Sequence, residues 1–386
     1  MTRKGVWDLQ EVRDKYLASL WDNPTTMWLA GSNEDGSMGQ NLRYNQLAGR
    51  SSPTQIVGDW NDVAILEKGT VASKTDGTLW TWGQNSGGML GQNNLTKYSS
   101  PTQIGSDSTW KRVGGGRNVA IATKTDGTLW AWGDNGKGQL GDNSVLRKSS
   151  PVQVGSDTDW DWPVAGGYAC GAVKTDGTFW TWGNNDDYML GHNDKTQRSS
   201  PVQIGSNVIH AEMSKEQLYF VSGSTARSCG KNNEGCLGHN NQTNYSSPKQ
   251  IPGSWKALSC GSAEVAGGIR TDGTLWVWGK GTSGVMAEWA GTNYSSPKQI
   301  GTGTTWATLT GSKDANAIFV ATKTDGTLWN WGNNIGGKLM LNVETSYSSP
   351  KQVPGTLWSL NWWQHSTDGS YNDHASMQGT LTPSQL

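Results

Sequence analysis

Lys74-Thr75-Asp76-Gly77-Thr78-Leu79-Trp80-Thr81-Trp82-Gly83 returns almost letter for letter at 124–133, 174–183, 270–279 and 323–332. Each copy sets an Asp-Gly pair between two apolar, strand-like runs, which is the strongest short-range signal for a β-hairpin. With a side-chain period of two, Leu79 and Thr81 face one way, Trp80 and Trp82 the other. Large groups on both sides predict a strand covered on both faces, and hence sheets stacked between sheets. A second mark counts the units independently. Ser-Ser-Pro recurs with its proline at Pro53, Pro101, Pro151, Pro201, Pro248, Pro297 and Pro350, seven times at spacings of 47 to 53 residues. Between the marks there is room for four short strands. In the unit after Pro53 the first follows Trp60, the second covers 71–74, the third 78–82 and the fourth lies near 102–104. Proline near an outer strand costs no ladder hydrogen bond.

A four-stranded antiparallel unit repeated seven times around an axis predicts an all-β, seven-bladed β-propeller. Stacking then buries what one unit could not. The composition agrees: Gly (52) and Trp (23) are abundant while Phe is three, as repeated tight turns around one dominant aromatic require. Fully burying one such ring contributes on the order of 3 kcal/mol. The indoles are therefore read as core, not as a stacking site for ligands. Charged residues make up only 16% and the net charge is −1, which gives no electrostatic footprint for nucleic acid or an anionic membrane. No apolar stretch predicts membrane insertion, and the opening residues lack the apolar region of an export signal.

Residues 1–24 differ from the rest. Val6, Trp7, Leu9, Val12, Tyr16, Leu17, Leu20 and Trp21 fall near a helical period. Asp8 and Glu11 are spaced as a capping box, and Asn23-Pro24 ends the pattern. These residues predict a short amphipathic helix that either folds back on its own domain or docks on a partner. The propeller is expected over 25–369, followed by a polar tail over 370–386. The first unit, from Met27, matches only the later half of the repeat, and 358–369 supplies features of the earlier half. The ring is thus expected to close by pairing N- and C-terminal strands. The fourth interval departs most. Val221-Ser222-Gly223-Ser224-Thr225 replaces the Asp-Gly turn, and Arg227-Ser228-Cys229-Gly230 replaces the Trp pair, predicting the weakest-packed blade.

No catalytic constellation emerges. The five histidines are scattered; His192 and His239 stand where Gln92 stands in another unit, so they read as loop polar groups before metal ligands. The repeated Asp is explained by turn geometry. Cys170, Cys229, Cys236 and Cys260 read as free thiols, with a Cys229–Cys236 disulfide as the minor alternative. No cofactor or metal is expected. Of the two faces of the disc, the one carrying the long third-to-fourth loops is the place to look for binding. There Asp187, Tyr188, Lys280 and Trp289 depart most from the repeat and are the candidate contact residues.

The full unit reads Trp110-Lys-Arg-Val-Gly-Gly-Gly, then Lys124-Thr-Asp-Gly-Thr-Leu-Trp-Ala-Trp-Gly-Asp-Asn, then Gly138-Gln-Leu-Gly and Ser149-Ser-Pro. It resembles the regulator of chromosome condensation repeat, a resemblance that covers about 25–369 and implies a seven-bladed propeller. Members of that family include an exchange factor for a small GTPase that binds chromatin, and a secreted β-lactamase inhibitor. Gly116-Arg117-Asn118 and Gly167-Tyr168-Ala169 stand where the family often has a histidine, and there is no basic tail. Exchange activity is therefore not expected, and neither is any enzymatic activity. The segment Gly5-Val6-Trp7-Asp8-Leu9-Gln10-Glu11-Val12, with Trp21-Asp22-Asn23-Pro24, is similar to a short segment of structural and tail proteins of aquatic bacteriophages. That resemblance implies a virion component (tail, fibre or head decoration), assembled in the host cytoplasm. Its partners would be other virion proteins, a host-surface glycan or protein, and further copies of itself through particle symmetry. The alternative is a soluble cellular inhibitor or scaffold.

Overall fold

Each Asp-Gly turn forms where the residues place it. Asp76 Oδ1 accepts hydrogen bonds from Thr78 N at 2.9 Å and Thr78 Oγ1 at 2.6 Å, and Thr78 Oγ1 in turn accepts the indole N–H of Trp80 at 2.8 Å. The relay repeats at Asp126, Asp176, Asp272 and Asp325. The Thr78 hydroxyl, above all, holds the Asp76 carboxyl below its ordinary value.

The structure, a computed structural model, describes residues 26–41, 49–261, 264–281, 284–286, 291–311, 318–355, 358 and 374–379. Each hairpin extends into a four-stranded antiparallel meander. Blade 1 comprises Trp60–Leu66, Gly69–Lys74, Leu79–Gly83 and Tyr98–Gln103. Blade 2 comprises Trp110–Gly115, Val119–Lys124, Leu129–Gly133 and Lys148–Gln153. Blade 3 comprises Trp160–Gly166, Ala169–Lys174, Phe179–Gly183 and Arg198–Gly205. Blade 4 comprises Val208–Met213, Gln217–Ser222, Thr225–Gly230 and Tyr245–Gln250. Blade 5 comprises Trp255–Gly261, Val265–Arg270, Leu275–Gly279 and Tyr294–Gln299. Blade 6 comprises Trp306–Gly311, Ile318–Lys323, Leu328–Gly332 and Tyr347–Gln352.

The expected count of seven four-stranded blades is corrected to six. Among the described residues the remaining sheet has three strands, with Thr26–Ser32 between Gly49–Ile56 and His374–Gly379. N- and C-terminal strands do pair, Thr26 opposite Gly379 through Gly31 opposite His374. The partner strand comes from the stretch read as a polar tail, not from 358–369. The physical reason is that ladder pairing uses backbone groups alone, so a strand can close the sheet without carrying the repeat's side chains. No α-helix occurs among the described residues, and the helix expected at 1–24 lies outside them.

The first strands lie innermost and touch one another around the axis. Asn61 Nδ2 donates to Lys111 O at 2.7 Å, Val113 N donates to Asp62 Oδ2 at 2.9 Å, and Gly311 N donates to Ser259 Oγ at 2.8 Å. A Cβ on Gly115 would lie 2.5 Å from Ile65 O, so this approach demands glycine. The fourth strands lie outermost. There the register shifts opposite the Ser-Ser-Pro step, between Thr81 and Gly83 in blade 1, so Pro101 removes no ladder bond.

Blades are fastened by the second indole of each third strand. Trp82 Nε1 donates to Ser37 O, Trp132 to Met89 O, Trp182 to Gln139 O, Trp278 to Cys236 O and Trp331 to Val285 O, at 2.5–3.0 Å. Each acceptor lies in the preceding long loop, and each of these rings is wholly buried. Blade 4 has no such latch, because Cys229 stands in the indole's place. Its interface with blade 3 is filled instead by Met189, Met213, Leu218 and the edge contact of Phe179 with Phe220. In the other five blades the first indole of the third strand is half-buried and lies under a cation. Lys74 Nζ is 3.9 Å from the Trp80 centroid and 5.1 Å from that of Trp60, and Lys124, Lys174, Arg270 and Lys323 repeat the arrangement.

Candidate binding site

The long loops are held from inside by one asparagine each. Asn85 Nδ2 donates to Asn94 O and Thr96 O, both at 3.0 Å, and its Oδ1 accepts from Leu90 N at 3.0 Å. Asn135, Asn185, Asn232 and Asn334 make the same bonds in their own loops. In blade 5 the position is Gly281, where a Cβ would meet Thr292 O at 2.0 Å. A second set of bonds clasps each loop to the next blade. Asn93 N donates to Ser149 O, Asn143 N to Ser199 O, Asn193 N to Ser246 O and Asn240 N to Ser295 O, at 2.6–2.8 Å. The Ser-Ser-Pro mark is therefore the seat of the neighbour's loop. What the loops leave exposed are their tips, among them Leu95, Val145, Leu146, Thr196 and Thr243.

On this same face the first-to-second turns ring the axis. Arg117 of blade 2 donates to Glu67 of blade 1 at 3.2 Å and lies 5.2 Å from the ring of Tyr168 in blade 3. Further round, Lys231 pairs with Glu216 at 2.8 Å and Lys280 with Glu264. Pairing with Glu216 raises Lys231 above its ordinary value, and the Asp187 charge adds to this. The axial mouth thus alternates in sign and offers no single-sign field.

Of the sequence-derived candidates, Asp187 and Tyr188 lie in the blade 3 loop, Asp187 within electrostatic reach of Lys231 and Tyr188 under Lys195, while Lys280 is two blades on and engaged with Glu264. Among the described residues no hydrogen bond or ion pair joins them, so they form no single cluster. Asp186 is taken up structurally, by Lys137 at 3.1 Å and Gln197. Trp289 and the helix candidates Val6, Trp7, Leu9, Val12, Tyr16, Leu17, Leu20 and Trp21 lie outside the described residues. Tyr188 adopts φ +65°, where the equivalent Gly88, Gly138 and Gly235 have φ +74° to +78°. Arg117 and Tyr168 were missed as a pair; the signal was their standing at the positions where the repeat family often has histidine.

His192 and His239 are loop groups. Their Nε2 atoms lie 3.0 Å from Thr181 Oγ1 and Ser228 Oγ, where Gln92 reaches Thr81 in blade 1. Burial depresses both, His239 to about 4. Among the described residues no three His, Cys, Asp or Glu side chains could hold a metal ion. The four cysteines are buried and in no disulfide, and burial pushes Cys236 up to about 12, which keeps it an unreactive thiol. The inner strands add one constellation, of which Asp62 is buried and the other members half-buried. Asp62, Arg112, Trp162 and His210 occupy equivalent positions in blades 1–4, with Arg112 5.9 Å from the Trp162 ring and Trp162 5.4 Å from that of His210.

Models of the regulator of chromosome condensation (RCC1) repeat match residues 76–123, 126–173, 176–215 and 228–265, and a second model of that repeat matches 110–139. No curated protein matches the sequence. Among solved structures, human WBSCR16 is similar at 17% identity, covering 92% of this chain and 99% of its own, with a TM-score of 0.79. Prp20p from Saccharomyces cerevisiae, a structure described with its binding to Gsp1p and histones, is similar at 16% identity, covering 95% and 94%, with a TM-score of 0.78. At these identities the likeness is one of fold. The described residues thus form a β-propeller, and regulator of chromosome condensation repeats are found in it over 76–123, 126–173, 176–215 and 228–265.

Proposed function

We propose that this chain is a non-catalytic binding propeller of a bacteriophage particle, docked on other virion proteins by residues 1–24 and presenting its long-loop face to the host surface. The observation that carries the binding half is the long-loop face itself. Its loops are fixed internally by Asn85, Asn135, Asn185, Asn232 and Asn334 and externally by the next blade, so a partner meets a preorganised surface. The exposed Asn, Thr, Leu and Lys tips, and the paired charges at the axial mouth, suit a glycan or protein ligand. The virion half rests on the resemblance of residues 5–24 to phage structural proteins. The test is mass spectrometry of purified particles, wild type beside a deletion of residues 1–23. Stoichiometric peptides that vanish with the deletion support the reading. A folded protein absent from wild-type particles overturns it in favour of a soluble cellular inhibitor or scaffold, whose partner would then be sought by pull-down.

A further inference from the structure

Between blades 3 and 4, at the end of the disc carrying the hairpin turns and inter-blade links, lies an open cleft of about 340 Å³ lined by Ile204, Ser206, Phe220, Ser222, Arg227 and Pro248. Its origin is visible in the sister blades. There the first strand opens with an indole, Trp60, Trp110, Trp160, Trp255 or Trp306, and the third strand adds Trp80, Trp130, Trp180, Trp276 or Trp329. In blade 4 the two places are held by Val208 and Arg227, and the cation that lies over the rings elsewhere is replaced by Ser222. Phe220, at a position that is Ala or Gly in the other blades, refills only part of the space.

The electrostatics are also left incomplete. In blade 2 Lys124 pairs with Asp107 at 2.5 Å, and in blade 3 Lys174 pairs with Asp157 and Asp159 at 2.6 and 3.0 Å. The link into blade 4 reads Gly205-Ser206-Asn207 and, like those into blades 5 and 6, supplies no carboxylate. The Arg227 side chain is half-buried and makes no hydrogen bond, ion pair or ring contact among the described residues. The wall is firm, since Ser222 Oγ donates to Ser206 O at 2.7 Å. The volume is at the small end of ligand-binding clefts.

We propose that this cleft binds an aromatic carboxylate, either a free acid or the C-terminal aromatic residue of a polypeptide. The ring takes the place of the missing indoles against Phe220 and Pro248, and the carboxylate meets the Arg227 fork. This site lies away from the long-loop face and stands whether or not the virion reading holds.

Isothermal titration of the full chain with indole-3-propionate and its neutral amide tests it. The acid is expected to bind at least about tenfold more tightly than the amide, the worth of a charge-assisted hydrogen-bonded pair. Arg227→Gln removes that preference and Arg227→Lys keeps part of it, with unchanged near-ultraviolet dichroism showing that both fold. Hexapeptides ending in tryptophan, with free or amidated C-terminus, distinguish the sources. Tighter binding of the free-ended peptide than of the small acid assigns a polypeptide, and the reverse a small molecule. Equal binding of acid and amide, no binding of either, or a preference that survives Arg227→Gln overturns the proposal.

Discussion

Gly138 and Tyr188 occupy the same place in successive long loops, both with positive φ, 76° and 65°. A Cβ on Gly138 would lie 2.8 Å from Ser199 Cα, because the next blade's Ser-Ser-Pro strand is seated there. Tyr188 carries a whole ring at that point, with Lys195 4.6 Å from its centroid. Gly138→Ala is therefore expected to cost about 1–2 kcal/mol from backbone strain alone, more if the strand cannot yield. Urea unfolding reads the difference, and an unchanged midpoint would show that the clasp tolerates a side chain. Asp62 offers a second prediction at this scale. Burial outweighs its bonds from Val63 N and Val113 N and the nearby Arg112, raising it from 3.8 to about 7. The folded chain then holds a proton that the unfolded chain releases. Stability from this group is fully present below about pH 4 and lost as pH rises through 7, by about 4 kcal/mol at the limit. His210, depressed by burial to about 4, acts oppositely, losing stability as pH falls from 6.5. Comparing wild type with Asp62→Asn between pH 4 and 8 isolates the first effect: the stability difference should change by several kcal/mol across the window. A constant difference would show that Asp62 is ionised throughout.

At the scale of the element, the six blades are not equal. Five third strands carry the indole latch to the preceding loop; blade 4 carries Cys229 and a hairpin shortened to Gly223-Ser224. Loss of one buried hydrogen bond and part of a ring's burial lowers the opening free energy by at least about 1–2 kcal/mol. Amides of 217–222 and 225–230 should thus exchange roughly tenfold faster than those of 119–124 and 129–133. Equal protection would mean that Tyr219, whose hydroxyl donates to Cys236 O at 2.9 Å, and Phe220 compensate in full. The departure of blade 4 was legible, since a missing Asp-Gly and a missing Trp pair can be read from the letters. So were the hairpins, because Asp, Gly and Thr act within a few residues of chain. The clasps were not: Asn93 and Ser149 are both ordinary polar residues until the ring brings them together. The same holds for Arg117 on Tyr168 and for the cleft at Arg227, which exists only as the difference between one blade and its sisters.

For the whole molecule, the question is how the ring is held shut. Two independent devices hold it: one spans the join between blade 6 and the three-stranded sheet, and the other lies within that sheet. Asn342 N donates to Ser51 O at 2.9 Å, the same loop-to-strand clasp used between blades, and Gly337 packs on Ser51 so closely that a Cβ would be 2.4 Å from its Cα. The other device is the ladder between Thr26–Ser32 and His374–Gly379, which places residues from both ends of the chain in one sheet. His374–Gly379 carries none of the repeat's marks, which is why the sequence pointed to 358–369 instead. Removing residues 374–386 keeps the clasp but strips one side of Thr26–Ser32, leaving an open strand edge that can pair with another molecule. The truncated chain is expected to fold, to melt at least about 5 °C lower, and to associate as its concentration rises. Thermal unfolding and size-exclusion chromatography across a concentration series read both effects. If melting and elution match the full chain, the clasp alone closes the ring and the terminal ladder is dispensable. If the truncated chain fails to fold, closure by the ladder is what allows the neighbouring blades to form at all.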